Sequence, residues 1–220
     1  MSGKHFSVWP ILIDMVTSVL IIIILYFLLE KILNREQLEL IVINKKKEVF
    51  EAAFINKFNQ EVKVDSSILI SKGIDHVQIT FRDTLIFRSA SYFMEEKALK
   101  TIKACAQQIK SSGDSIGLRL IRIEGHTDSD PFKGKIDCRL RSTNEDCDDL
   151  LKDNWDLSSL RALGILKQFV KCQIDSTILS SSGYSSQKPL TQDSSARGKA
   201  QNRRVDIKIY FTRFSDQIEP

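Results

Sequence analysis

LRLIRIEGHTD, residues 118–128, runs apolar and polar side chains in near alternation and then gives way to Gly125 and three polar residues. Leu118, Leu120, Ile121 and Ile123 have the spacing of a half-buried strand, because successive side chains of a strand point to opposite faces. EGHTD (124–128) therefore sits where a strand ends. Strand ends and helix starts are the places where a small α+β domain brings polar groups together on one patch.

Outward from this stretch the same reading repeats. HVQITF (76–81) alternates Val77, Ile79 and Phe81, and RRVDIKIYF (203–211) alternates Val205, Ile207, Ile209 and Phe211. LIF (85–87) is short and apolar. Residues 94–109 carry Leu99, Ile102, Cys105 and Ile109 at helical intervals, and Ser111, Ser112 and Gly113 stop that helix. Residues 157–170 form a second amphipathic helix with Leu160, Leu163, Leu166 and Phe169 on one side. The order β-α-β-α-β predicts an α+β domain, a two-layer sandwich of helices on one sheet. Two long polar stretches interrupt it, 131–154 with Cys138 and Cys147, and the Ser-rich 180–201. Connections of that length are functional or disordered.

With 220 residues the chain has room for one ordinary domain and an accessory segment. A net charge of +4 is too weak to argue for a nucleic-acid partner. Cys105, Cys138, Cys147 and Cys172 stand far apart, with no C-x-x-C pair of the kind that holds zinc. The accessory segment is WPILIDMVTSVLIIIILYFLL (9–29), whose one charged residue is Asp14. As a helix, residues 10–29 span about 30 Å, the thickness of a bilayer's hydrocarbon core. The run is too long for a signal-peptide core and no small-residue cleavage site follows it, so it reads as an uncleaved anchor with Trp9 at one interface. A buried core helix is the alternative. Residues 30–62 place Leu33, Leu40, Ile41, Phe50, Phe54 and Phe58 among Lys, Glu and Gln. Helical spacing fits up to about Phe58, although LELIVI (38–43) reads equally as a strand; a stalk, a pairing helix and a solvated linker all fit. The expected divisions are 1–9 before the anchor, 10–29 the anchor, 30–74 a linker, 75–212 the domain and 213–220 a tail. Lys31, Arg35 and Lys45 to Lys47 follow the anchor while Lys4 alone precedes it, a bias that by itself favours a cytoplasmic domain.

The polar groups with a chemical pattern are Asp128, at the end of EGHTD, and Arg161, in LSSLRA (157–162). An acid that accepts from an ammonium group and an arginine fork that grips a carboxylate suit a zwitterion. The two could instead bridge each other. Neither belongs to a nucleophile and base arrangement, and His5, His76 and His126 form no local metal motif, which argues against an enzyme.

GHTD, LSxxRA, a loop with Gly183, Tyr184 and Pro189, and NRRV (202–205) together resemble the OmpA-like peptidoglycan-binding domain over residues 75–212. The resemblance implies that Asp128 and Arg161 hold the amino-acid end of diaminopimelate in the wall peptide, with Thr127, Asn202 and Arg204 in support. The stretch between Asp128 and Leu157 is longer than that pattern allows, so an insertion lies beside the pocket, as a cover or a partner surface. Wall binding implies a periplasmic domain and a cytoplasmic N-terminus, against the charge bias, since long domains translocate largely regardless of flanking charge. The periplasm permits disulfides, and Cys138 with Cys147 would staple the insertion. Cys105 lies on an apolar helix face as a small core residue, with pairing to Cys172 left open.

An acid at the centre of a membrane helix costs about 2.5–3.5 kcal/mol, so Asp14 asks for a reason. Snorkelling to the interface is the bland one. Thr17 and Ser18, at i+3 and i+4, share its face. A polar stripe on a single-pass helix predicts burial against other helices, where a carboxylate can alternate between neutral and charged forms as an ion relay. WxxxxDMxT, one membrane helix and the C-terminal domain resemble the B subunits of MotA/MotB-type stators. The short segment before the anchor and the insertion are most similar to ZorB of the Zorya anti-phage defence systems. That resemblance implies an inner-membrane ion-driven motor, with a homodimer of this chain inside a pentamer of polytopic MotA- or ZorA-like subunits. Asp14 would carry H+, with Na+ the alternative, and no cofactor is implied. A flagellar or gliding stator, and a passive tether like Pal or OmpA, are the competing readings. A tether gains nothing from an intramembrane acid.

Overall fold

The structure is a computed structural model, and it describes residues 8–61, 67–87, 91–114, 116–132 and 152–212. The chain divides into two compact units, Met1–Val42 and Ile43–Pro220.

Helix α1 (Trp9–Glu61) is continuous for 53 residues, with Pro10 in its first turn, where a missing N–H costs nothing. LELIVI is helical, not a strand. The upstream unit exposes its apolar residues: Ile11, Ile13, Val16, Leu20 and Phe27 are all more than half exposed. Its most apolar 18-residue window has a mean hydropathy of 2.7, and α1 is the one described helix long and apolar enough to cross a membrane.

The second unit begins inside the segment expected as a linker. Ile43, Lys47, Phe50, Phe54 and Phe58 recur every three or four residues, so they line one helix face, and all five are buried. Phe54 stacks on Phe50 at 5.7 Å and on Phe58 at 4.9 Å, and Phe50 meets Phe211 edge-on at 5.4 Å. Lys47 buries its stem and donates from Nζ to the carbonyls of Gly73 and Ile74. The sequence signal for this packing was present. What it could not name was the surface that receives the stripe.

That surface is a five-stranded sheet of β1 (Ile68–Lys72), β2 (His76–Arg82), β3 (Leu118–His126), β4 (Leu179–Gly183) and β5 (Arg204–Phe211), in the order β1-β2-β5-β3-β4. β3 and β4 run parallel and the other pairs antiparallel. The three strands legible in the sequence are its centre. The two unanticipated ones are its edges: β1 lies in the expected linker, and β4 is a serine run inside the stretch expected as a loop. Helices α3 (Glu96–Gly113) and α4 (Asn154–Lys171) stand where helical spacing put them. Leu85 and Ile86 of LIF fall on a short helix, α2 (Asp83–Ile86), which the extended Phe87 ends, and α5 (Ala196–Asn202) is a second element in the expected loop. Val77, Ile79, Phe81, Ile121, Ile123, Val205, Ile207 and Ile209 join the helices in one core. The α+β class with helices on a single sheet is borne out. Cys105 is a buried, free core thiol, raised well above its ordinary pKa by burial, and Cys172 is also free. Cys138, Cys147 and most of the insertion lie outside the described residues.

Candidate functional site

The sheet register places Arg82, Arg204 and His126 side by side at one end of β2, β5 and β3. The residues just beyond that row converge: Asp83 opens α2, Arg203 precedes β5, and Thr127 and Asp128 follow β3. Asp83 N–H donates to the Arg203 carbonyl at 3.0 Å, which ties two of these chain ends together.

Helix α4 brings Arg161 to them. Its second turn lies on two glycines that are register partners, Gly125 of β3 and Gly183 of β4. A Cβ at Gly125 would stand 2.0 Å from the Ser158 carbonyl oxygen, and one at Gly183 would stand 2.2 Å from Ser159 Oγ. Side chains at either position would lift the helix off the sheet. Asp153 caps α4 by accepting from the N–H groups of Trp155 and Asp156. Ser158 Oγ then accepts from Ser185 N–H at 3.0 Å, and Ser185 in turn accepts from Thr127 N–H, so one hydroxyl aligns helix, β4 exit and β3 exit.

Four charges result, in two pairs. Arg161 Nη1 lies 3.0 Å from Asp83 Oδ1, its Nε donates to the Ser91 carbonyl at 2.9 Å, and its guanidinium sits 5.0 Å from the Phe87 ring centroid. Asp128 Oδ2 accepts from Arg203 Nη1 at 2.5 Å, and its Oδ1 accepts from Asp130 N–H. Arg161 and Asp128, expected either to share a ligand or to bridge each other, feel each other's charge but are held by different partners. Burial raises the Asp83 carboxyl to about 6, although Arg161 and Arg203 pull the other way. Burial likewise lowers Arg161 from its ordinary value.

The other expected site residues serve this frame. Asn202 clamps the loop before α5: its Oδ1 accepts from Leu190 and Thr191 N–H, and its Nδ2 donates to the Thr191 carbonyl. Arg204 Nε donates to Asp206, and its other nitrogens donate to the Asn202 and Lys188 carbonyls. Of the two arginines in NRR, it is Arg203 that meets Asp128. On the sheet face away from the core, Glu124, His126 and Asp206 bring ligand-type atoms within 4.8 Å of one another, a set that could in principle hold a metal. Lys208 lies 2.7 Å from Glu124 and Arg204 lies 3.0 Å from Asp206, so side chains already supply the positive charge there.

A family model described as the OmpA family matches residues 86–203, which contain Asp128, Arg161 and Arg203. The chain belongs to the OmpA family. It is 25% identical over 156 residues to Motility protein B of Bacillus subtilis, covering 70% of this chain and 53% of that protein. It is 27% identical over 169 residues to the uncharacterized protein YtxE of the same organism, covering 75% and 62%. The chain thus spans little more than half the length of the curated relatives it matches. Among solved structures, a MotB-like protein from Desulfovibrio vulgaris superposes with a TM-score of 0.62 at 18% identity, covering 80% of this chain and 96% of that one. The cell wall anchor of the type VI secretion system from Pseudomonas aeruginosa gives 0.54 at 21%, covering 72% and 97%. The periplasmic domain of Helicobacter pylori MotB gives 0.53 at 19%, covering 73% and 94%. These likenesses concern the fold.

Within this OmpA-family fold, sequence reading missed Asp83 and Arg203. Arg203 was in view as the first arginine of NRR. Asp83 carried no signal beyond its place at the end of HVQITFRD, the same kind of strand end that singled out Asp128. In the upstream unit, Asp14, Thr17 and Ser18 are exposed on α1, and the Thr17 hydroxyl donates to the carbonyls of Ile13 and Asp14. Thr17 is thus satisfied by its own helix.

Proposed function

We propose that this chain is the B subunit of an ion-driven inner-membrane motor of the MotA/MotB type, anchored to peptidoglycan by its OmpA-family domain. The observation that carries the reading is one chain joining an apolar helix that keeps Asp14 to a domain that clusters Asp128 and Arg161. The acid has a cost in lipid that a mere anchor would not incur. In this reading the N-terminus is cytoplasmic, α1 crosses the membrane once, and the domain lies in the periplasm. Two copies sit within a ring of five polytopic MotA- or ZorA-like subunits, whose helices shield Asp14 while it carries H+. Asp128 and Arg161 hold the ammonium and carboxylate of diaminopimelate. Thr127, Asn202 and Arg204 keep the loops around them in place.

The assignment to a Zorya-type anti-phage system rests on the resemblance to ZorB. Similarity to Motility protein B supports a motility role for the same machine. Asp14→Asn keeps shape and hydrogen bonding but removes the titratable group. Expression and assembly with the A subunit are expected to survive, while phage protection or motility, whichever the neighbouring genes support, falls to the level of a deletion. Full activity in a well-expressed Asp14→Asn strain would end the ion-relay reading and leave a passive tether.

A further inference from the structure

We propose that Asp83 is a built-in competitor for Arg161, a carboxylate that occupies the guanidinium in the ligand-free domain and must yield it when a ligand carboxylate arrives. The inference rests on the wall-peptide reading of the site and concerns what that site does before and during binding.

The geometry of the guanidinium leads to it. A carboxylate is gripped in bidentate fashion along one of two edges, Nε with Nη2 or Nη1 with Nη2. The first edge is engaged, since Nε donates to the Ser91 carbonyl at 2.9 Å. The second edge includes Nη1, which lies 3.0 Å from Asp83 Oδ1. Only 3% of the Arg161 side chain and 7% of Asp83 are exposed, so water screens neither. Asp83 Oδ1 is nonetheless a buried oxygen without hydrogen-bond alignment to any described group. Its contact with Arg161 is a buried ion pair at 3.0 Å, and a ligand carboxylate on that edge would compete for the same Nη1. A second carboxylate on the same buried guanidinium would repel the first. Asp83 must then take a proton or withdraw.

The arrangement at Asp128 differs, and the difference matters. Its partner Arg203 is 32% exposed and can swing into water, leaving Asp128 to an ammonium group. Asp83 cannot leave so easily, because its side chain is only 7% exposed and its backbone is tied to the Arg203 carbonyl. Protonation is the simpler exit. Among the described residues, the charged groups facing Asp83 are Arg161 from α4, Arg203 ahead of β5 and Asp128 after β3. Together with burial they place its carboxyl at about 6, within reach of mild acid. Binding is therefore expected to draw a proton into the site and to tighten as pH falls below neutrality.

The test uses the detergent-solubilised full chain and a soluble muropeptide containing diaminopimelate, titrated at pH 7.5 and pH 5.5. If the protonated form of Asp83 is the competent one, the wild type should bind on the order of tenfold tighter at pH 5.5, because apparent affinity scales with the competent fraction. Asp83→Asn should bind at pH 7.5 about as tightly as the wild type does at pH 5.5, and should lose the pH dependence. Weaker binding by Asp83→Asn at both pH values, with an unchanged melting temperature, would make Asp83 a positioning residue for Arg161 and overturn the proposal. A wild type whose affinity is flat between the two pH values would overturn it without any variant. Arg161→Ala and Asp128→Ala separate the two levels of inference. If both bind normally, the wall-peptide site itself is wrong. If both fail while Asp83→Asn gains nothing, the site stands and the competitor does not.

Discussion

His126 and Asp83 show how burial, as the largest influence, sets opposite acid behaviour in two residues of one domain. His126 is 1% exposed, and burial with the Arg204 charge lowers it to about 3 despite nearby Glu124. Unfolded, it would take a proton near 6.5, so between pH 6.5 and 3 the unfolded chain binds more protons and stability falls with acidification. Asp83 is raised to about 6 from an unfolded value near 3.8, so between pH 6 and 3.8 the folded chain binds more protons and stability rises with acidification. Each slope is at most about 1.4 kcal/mol per pH unit, and the two offset each other in their shared window. Relative to wild type, Asp83→Asn should therefore lose stability more steeply from pH 6 to pH 4, and His126→Gln less steeply. Urea unfolding of the three proteins at pH 6, 5 and 4 reads the difference directly. Parallel pH profiles would show that neither residue titrates as its burial requires.

At the scale of elements, the decisive contact is between α4 and the glycine pair beneath it. The helix can be read from its own apolar spacing. Its distance from the sheet cannot, because that depends on Gly125 and Gly183 being neighbours in a parallel ladder between strands more than fifty residues apart. Gly125→Ala would drive a methyl into the Ser158 carbonyl oxygen, a backbone atom with no rotamer to escape into. The expected cost is about 1–3 kcal/mol, as for other overpacked sites. Displacing α4 should also displace Arg161, so under the proposed function wall-peptide binding should fall along with the melting temperature. Gly164→Ala serves as the control on the same helix, since its Cβ would make an ordinary 3.6 Å contact with Met94. Equal melting temperatures for the two variants would refute the close approach.

For the molecule as a whole, the unexpected feature is that the C-terminal part of α1 belongs to the core of the sheet unit. Phe54 is 1% exposed between two stacked rings, whereas Leu38, four turns upstream on the same helix, is 59% exposed. Phe54→Ala should cost about 3–5 kcal/mol, the range for deleting a buried aromatic. Leu38→Ala should leave unfolding of the domain unchanged. Thermal unfolding followed in the near ultraviolet distinguishes them. A Phe54→Ala protein as stable as the wild type would return residues 43–61 to the role of a linker.

The amino-acid sequence by itself determined the elements whose signal is local. The apolar run at 10–29, the alternation in β2, β3 and β5, and the helical spacing in α3 and α4 depend only on near neighbours along the chain. GHTD and LSSLRA were legible for the same reason, as short runs of polar chemistry at strand and helix ends. Tertiary structure alone decided what each charge meets. Asp83 rather than Asp128 faces Arg161, and Arg203 rather than Arg204 faces Asp128, because strand register and a helix resting on two glycines set those neighbours. The edge strands β1 and β4 were equally hidden: a short strand with one paired side gains its stability from the ladder it joins, and the ladder is a contact between residues distant in the chain.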